Sequence, residues 1–237
     1  MFGFFIDYWY IILVLPAILF ASFASLSVNS TFEKYAKQRS MRGLTGAEAA
    51  RMVLDANGLS DVQIKRVSGK LTDHYDPRDN TIYLSDSVHG SVSTAAIGVA
   101  AHEAGHAVQH ATHYLPIKIR AAIIPATNIG SRLAIPLILI GLLLGAWNGN
   151  YLLAYVGIVC FSLTALFQLV TLPTEFNASR RAMQALENGN ILSADELQGA
   201  RKVLTAAAMT YVAALAVSLA QLLRLLLIVA GNSRRRN

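Results

Sequence analysis

The chain has a single cysteine, Cys160, and it lies inside an apolar stretch. No disulfide can form within one chain, which disfavours an extracellular domain stapled by such bridges. Charge is scarce too: Asp, Glu, Lys and Arg make up 14% of 237 residues, against about 25% in globular domains. Hydrophobic residues reach 54%, above the roughly 45–50% of soluble domains, so part of the protein resides in lipid. Internal repeats and low-complexity linkers are also lacking. The formal net charge is +6, but the basic residues flank apolar runs without interleaved aromatics. That pattern makes nucleic acid the weakest partner class and fits membrane orientation instead.

The first apolar run covers about residues 2–28, broken only by Asp7 and small polar residues, and is long enough to span a bilayer. It lacks the basic start of a signal peptide and is too long for one, so it reads as a retained span. Trp9 and Tyr10 suit an interface anchor. A polar stretch follows to about Leu115. Within it, Thr45 and Glu48 form a capping box and Gly58 closes the C-terminus, predicting a helix over about 45–57. Val62, Ile64 and Val67 alternate as in a strand, and turns at Gly69-Lys70 and 76–80 precede a second strand at 81–84. An Ala-rich helix is expected from about Ser91 to Ala111. Two further spans, about 133–147 and 151–172, flank Asn148-Gly149-Asn150, with Trp147 and Tyr151 at interface depth. After Pro173 a polar helix runs to about Asn188, and a Ser193/Glu196 capping box opens another toward Leu204. The last apolar run, about 206–230, is interrupted by Arg224 and ends in Arg234-Arg235-Arg236. Arg224 calls for a partner or for snorkelling, and Asp7 is a possible mate.

These segments divide the chain into a span at 1–28, a domain at 29–130, a two-span hairpin at 131–172, helices at 173–205, and an apolar segment with a basic tail at 206–237. Lys34, Lys37, Arg39 and Arg42 follow the first span, and Arg180, Arg181, Arg201 and Lys202 follow the third. The turn at 148–150 carries no charge. Positive-inside reasoning places both polar segments in the cytoplasm of a multi-pass membrane protein, with the N-terminus outside. The closing arginines disagree, because a full fourth span would put them outside.

The residues that carry chemistry are His102-Glu103-Ala104-Gly105-His106. Histidines four apart on a helix share one face, separated by about 6 Å along the axis. Both rings can then reach one zinc ion at about 2.0–2.1 Å. Such an ion acidifies water toward a pKa of roughly 7, and Glu103, beside the ion, is placed to take the proton. The attack falls on a peptide carbonyl, and Glu103 passes the proton to the leaving amine. A chance match to this motif in a chain of this length is rare, on the order of 1%. The plainer reading is a helix whose histidines satisfy polar contacts in a core.

A catalytic zinc site needs a third protein ligand and an open position. His110 lies about 12 Å along a straight helix from His102, too far to share the ion. The metzincin spacing fails, since Gln109 and Thr112 stand where glycine and histidine would be required. His113 reaches only if the helix breaks after 110. Topology permits Glu175, because a two-span hairpin returns the chain to the face it left. Glu175 is equally readable as a helix N-terminal carboxylate next to Pro173.

Four segments resemble the YugP-like family of bacterial membrane proteins, described as neutral zinc metallopeptidases. They are Leu44-Thr45-Gly46-Ala47-Glu48, residues 71–78 (Leu-Thr-Asp-His-Tyr-Asp-Pro-Arg), residues 98–110, and residues 172–179 (Leu-Pro-Thr-Glu-Phe-Asn-Ala-Ser). The resemblance covers nearly the whole chain. More distantly, the core is similar to the HtpX-like and CAAX-prenyl endopeptidases. There a helix glutamate is the third ligand, and an aspartate four residues later supports a histidine ligand. The resemblance implies Glu175 as third ligand of one zinc ion, a gluzincin-like set, and it places Ser179 where the aspartate stands. A hydroxyl orients imidazole less strongly than a carboxylate does, which leaves Asn177 or Asp73 as substitutes. The implied fold is a mainly α membrane protein with a small α+β zincin-like metalloprotease domain, an HExxH helix plus a short antiparallel sheet.

His74, Tyr75 and Tyr211 are candidate oxyanion stabilisers, although each residue type also serves turns, strand ends or helix packing. The segment 81–85 is a candidate sheet edge for an extended substrate, or a buried structural strand. The leading expectation is a zinc endopeptidase at the cytoplasmic membrane surface, acting on protein or peptide substrates associated with the membrane. The alternatives are an intramembrane site-2-type protease, which needs an aspartate ligand on another span, and a proteolytically inactive scaffold with four zinc ligands.

Overall fold

The computed structural model describes residues 7–234. Residues 2–6 of the first apolar run, and Arg235 and Arg236, lie outside the described residues. Among the described residues four helices are long and apolar enough to cross a membrane: Tyr10–Ala36, Leu115–Asn148, Leu152–Asn188 and Ala194–Ser233. The first opens with a π turn, Tyr10–Val14, and continues as α1, Leu15–Ala36. The remaining elements are α2 (Gly46–Ala56), β1 (Gln63–Val67), β2 (His74–Asp76), β3 (Thr81–Ser85), α3 (Thr94–Ala111), α4 (Leu115–Asn148), α5 (Leu152–Asn188) and α6 (Ala194–Arg234).

The chain forms two compact units. One comprises the residues up to Phe23, Ile119–Leu172 and the residues from Thr210 onward. Its buried cluster is Ile138, Tyr151, Ala154, Ile158, Leu225 and Val229, drawn from α4, α6, the start of α5 and the turn before it. Arg224 is buried here, and its Nε and Nη2 donate to Asp7 Oδ2 at 2.9 and 2.7 Å. The guanidinium also lies 5.4 Å from the centre of the Tyr10 ring. An apolar helix tolerates such a cation when a carboxylate meets it, and Asp7 is that partner.

The other unit comprises Ala24–Lys118 and Pro173–Met209. Its helix ends are fixed locally. Thr45 Oγ1 accepts from the Glu48 amide while Glu48 accepts from the Thr45 amide, completing the expected capping box. Gly58, with φ +72°, closes α2. Glu196 accepts from the Ser193 amide at 2.7 Å and, with its other oxygen, from the Met41 amide at 2.6 Å. The first of these bonds caps α6, and the second ties α6 to the loop after α1.

Helix α3 runs through the middle of this core. Ala95, Ala96, Ala100, Ala101, Ala104 and Ala107 are all buried, so methyl groups rather than long side chains separate it from its neighbours. Two glycines bring helices closer still. Gly98 faces Ala200 of α6, and Gly105 faces the backbone of Ala178 on α5. Gly105 stands between the two motif histidines, so its contact sets the distance from the motif to α5.

The structure departs from the expected elements in three respects. The sheet is mixed rather than antiparallel: the order is β1-β3-β2, with β1 parallel and β2 antiparallel to β3. Residues 81–85 therefore form the central strand, not an edge, in keeping with the burial of Thr81, Ile82, Leu84 and Ser85. Finally, α5 continues through Pro173, where a span was expected to end and a separate helix to begin. A proline costs a helix one backbone hydrogen bond, but apolar helices absorb that loss through neighbouring groups, as α4 does at Pro125 and Pro136.

A Cβ at residue 105 would lie 2.7 Å from the Ala178 carbonyl oxygen, a helix backbone atom that cannot move alone. Gly105→Ala is expected to destabilise this unit by roughly 1–3 kcal/mol. Denaturant unfolding of the detergent-solubilised protein measures it, and an unchanged midpoint would mean that the two helices do not touch there.

Candidate metal centre

The motif lies in the second half of α3. Ser93 caps the helix start, accepting from the Ala96 amide, and the helix then runs without interruption through His102, Glu103 and His106. It stops at a Schellman turn: the Tyr114 amide donates to the Gln109 carbonyl and the His113 amide to the His110 carbonyl. His113 occupies the left-handed position, φ +54°, usually taken by glycine. Among the described residues, His113 is not part of the group of donors that could hold a metal ion. The His110 ring lies 5.5 Å from that of Tyr75.

The third donor comes from α5. His102 Nε2 is 3.3 Å and His106 Nε2 is 3.5 Å from Glu175 Oε2, and the three atoms able to serve as ligands lie within 4.8 Å of one another. The two imidazole planes are nearly perpendicular, at 86°, so both Nε2 atoms converge without the rings stacking. A tetrahedral ion about 2.0–2.1 Å from each donor sets neighbouring donors about 3.3–3.4 Å apart. The two separations from Glu175, 3.3 and 3.5 Å, lie close to that spacing. Among the described residues, His102, His106 and Glu175 form a group able to hold a metal ion.

The surroundings favour positive charge at this point. Burial alone would lower the pKa of His106, but the bond to Glu175, with Glu103 nearby, raises it above the ordinary imidazole value. A cluster that strengthens its hold on a proton in this way is equally suited to a divalent cation. Glu103 is 8% exposed, one residue beyond His102 on the same helix.

Behind the converging nitrogens, the other ring nitrogens are also engaged. His102 Nδ1 is 3.1 Å from Ser179 Oγ, one helical turn beyond Glu175. His106 Nδ1 is 3.0 Å from Gln109 Oε1. Gln109 Nε2 donates to the Thr174 carbonyl at 2.7 Å and to Asn177 Oδ1 at 3.0 Å. Sequence reasoning missed Gln109 as a partner of the site. Its only signal was an amide three residues after the second histidine, on the buried side of the helix.

The other expected site residues separate clearly. Ser179 reaches a ligand candidate directly, and Asn177 reaches one through Gln109. Asp73 does not serve His102 or His106: its carboxylate accepts from the Ser85 amide at 2.7 Å and the Ser85 hydroxyl at 3.0 Å, fixing the loop before β2 against β3. His74 is exposed and stacks on Tyr83 with 5.0 Å between ring centres. The Tyr75 hydroxyl donates to Asn80 Oδ1 at 2.9 Å. Tyr211 lies in α6 within the other compact unit.

Comparison with known proteins agrees with this chemistry. Residues 10–230 match the profile of a family described as "Putative neutral zinc metallopeptidase". The chain is 47% identical over 219 residues to the "Putative membrane protease YugP" of Bacillus subtilis (strain 168), covering 92% of this chain and 96% of that protein. No solved structure matches the chain significantly.

Ser179→Ala removes the group that meets His102 Nδ1. Loss of such a partner typically weakens metal affinity about 10–100-fold, and the lower end is expected for a neutral hydroxyl. Competition with a chromophoric zinc chelator measures the change. An affinity equal to that of the unaltered protein would show that Ser179 does not hold the ring.

Proposed function

The chain belongs to the family described as "Putative neutral zinc metallopeptidase", and from that premise we propose that it is a membrane-anchored zinc endopeptidase in which His102, His106 and Glu175 hold one zinc ion and Glu103 is the general base. The observation that carries this reading is the donor spacing: 3.3 and 3.5 Å from the two Nε2 atoms to Glu175 Oε2. That spacing fits a gluzincin-like ligand set on a zincin-like helix. Zinc supplies a Lewis acid that polarises the scissile carbonyl and lowers the pKa of water to about 7.

The remaining steps belong to the protein. Glu103, as a carboxylate, takes a proton from the attacking water as its oxygen bonds to the carbonyl carbon. It then returns that proton to the amide nitrogen as the C–N bond breaks, leaving a carboxylic acid and an amine, between which the remaining proton passes to give carboxylate and ammonium. With zinc held there, the neutral imidazoles of His102 and His106 and the single negative charge of Glu175 would leave net positive charge to polarise the carbonyl. Only three donors make up the cluster among the described residues, which favours a catalytic site over a structural one with four.

Membrane-associated substrates follow from the anchoring. The three donors share one unit with Lys34, Lys37, Arg39, Arg42, Arg180, Arg181, Arg201 and Lys202, the basic flanks of the spans. Positive-inside orientation puts that unit, and the site, on the cytoplasmic side of the cell membrane. The same placement supports chemistry at the membrane surface over the intramembrane site-2-type alternative.

Glu103→Gln keeps the shape of the side chain and removes the base. Cleavage of casein or of a peptide library is expected to fall about 10²–10⁴-fold, with zinc content unchanged. His106→Ala and Glu175→Ala should each lose the zinc itself. Full activity in Glu103→Gln would overturn the mechanism, and full zinc in both ligand variants would overturn the ligand set.

A further inference from the structure

The hydrogen bonds behind His106 allow only one polarity. Arg181 is a donor without acceptor capacity, and its Nε–H donates to Asn177 Oδ1 at 2.8 Å. That contact fixes which side of the Asn177 amide is oxygen. The same oxygen accepts from Gln109 Nε2, whose second hydrogen goes to the Thr174 carbonyl, a group that can only accept. Gln109 is thus fixed from two directions and turns its Oε1 to His106 Nδ1. An amide oxygen accepts, so Nδ1 carries the proton. In a neutral imidazole the lone pair then lies on Nε2, the atom that faces Glu175.

We propose that Gln109 is a positioning residue that locks His106 in its metal-binding tautomer, its own orientation being set by the Thr174 carbonyl and by the Arg181–Asn177 pair. The inference rests on the metal-site reading above and adds a cause for the geometry of one ligand. Two further observations support it. Gln109 is fully buried, so its amide needs partners, and it takes one of them from the ring of a candidate metal-holding histidine rather than from backbone alone. The two histidines also differ in kind: Ser179 opposite His102 is a hydroxyl that can donate or accept, whereas Gln109 opposite His106 offers only an acceptor. A glutamate at position 109 would set a second carboxylate oxygen against two acceptors, the Thr174 carbonyl and Asn177 Oδ1. Glutamine is the residue that accepts at one end and donates at the other.

The test measures zinc affinity of the full-length, detergent-solubilised protein by chelator competition, with thermal unfolding of the metal-free forms as a check on folding. Gln109→Met keeps the volume and removes the acceptor, and it is expected to weaken zinc binding about 10–100-fold. Asn177→Leu, at a half-buried position, removes one of the two constraints and should cost less. Asn177→Asp, which accepts from both neighbours as the asparagine oxygen does, should recover what Asn177→Leu loses. The visible spectrum of the cobalt-substituted Gln109→Met protein should shift, reporting a changed imidazole ligand. Wild-type affinity in Gln109→Met overturns the inference while leaving the metal site standing. Failure of Asn177→Asp to recover affinity overturns the polarity argument. Should Gln109→Met not fold, the Asn177 pair decides: wild-type affinity in Asn177→Leu overturns the orienting chain. A wild-type protein that binds no zinc overturns the metal-site reading, and this inference with it.

Discussion

A carboxylate pressed against two imidazoles in a buried place is the constraint around which the unit holding α3 and the second half of α5 is organised. Glu175 shares one oxygen with His102 and His106 at contact distance. Burying a carboxylate costs free energy unless positive charge or hydrogen bonds compensate. In this cluster the compensation is either a proton on an imidazole, which the raised pKa of His106 reflects, or a metal ion that displaces it. Both solutions keep the helices together. The metal solution does so with all three donors at once, and it ties together stretches separated in sequence by a membrane-spanning hairpin.

Close helix packing makes that convergence possible. Side chains on two helices come within 3.5 Å only if the backbones approach closely, and Gly105 and Ala178 supply that approach directly beside His106 and Glu175. The alanines of α3 extend the same principle along the helix. Small residues sacrifice some apolar area per side chain, but they give polar groups such as Gln109 short paths to the backbone carbonyls of α5. Thr174, which lends one such carbonyl, directly follows Pro173 and precedes Glu175. The segment that carries the third donor thus also carries an anchor for the second.

Much of this was legible in the sequence where a local rule decides the outcome. The spacing of His102 and His106 depends only on helix geometry, and the Thr45/Glu48 box and the Gly58 closure depend on a few adjacent residues. The cost of an isolated charge in an apolar segment called for a partner to Arg224 or for snorkelling and made Asp7 only a possible mate; the structure pairs the two. Less could be read where tertiary context overrides local signals. Pro173 marks a helix boundary in water, but α5 runs through it. Strand β2 has three residues, too few to show alternation, so the expected sheet lacked one strand, and the choice between an edge and a buried strand at 81–85 stayed open until the structure gave the buried one. Glu175 was reachable only because the spans return the chain to one face, and a resemblance then singled it out. Gln109 left no trace beyond its own identity, because its role depends on where α5 lies.

The character of the groups behind the histidines has a chemical consequence for the proposed reaction. Many zinc sites place a carboxylate behind a ligand histidine, which feeds electron density to the metal. In this protein both partners are neutral, a hydroxyl at Ser179 and an amide at Gln109, although carboxylates already stand close by at Glu103 and Glu175. Additional carboxylates would further offset the ion's charge and blunt its pull on a carbonyl oxygen. Neutral partners would orient the rings while preserving that pull, and under the proposed mechanism the proton transfer falls to Glu103. The positive charge that anchors the orientation, on Arg181, stands two hydrogen bonds behind Gln109, so it sets the polarity of the chain without competing for the ligand positions.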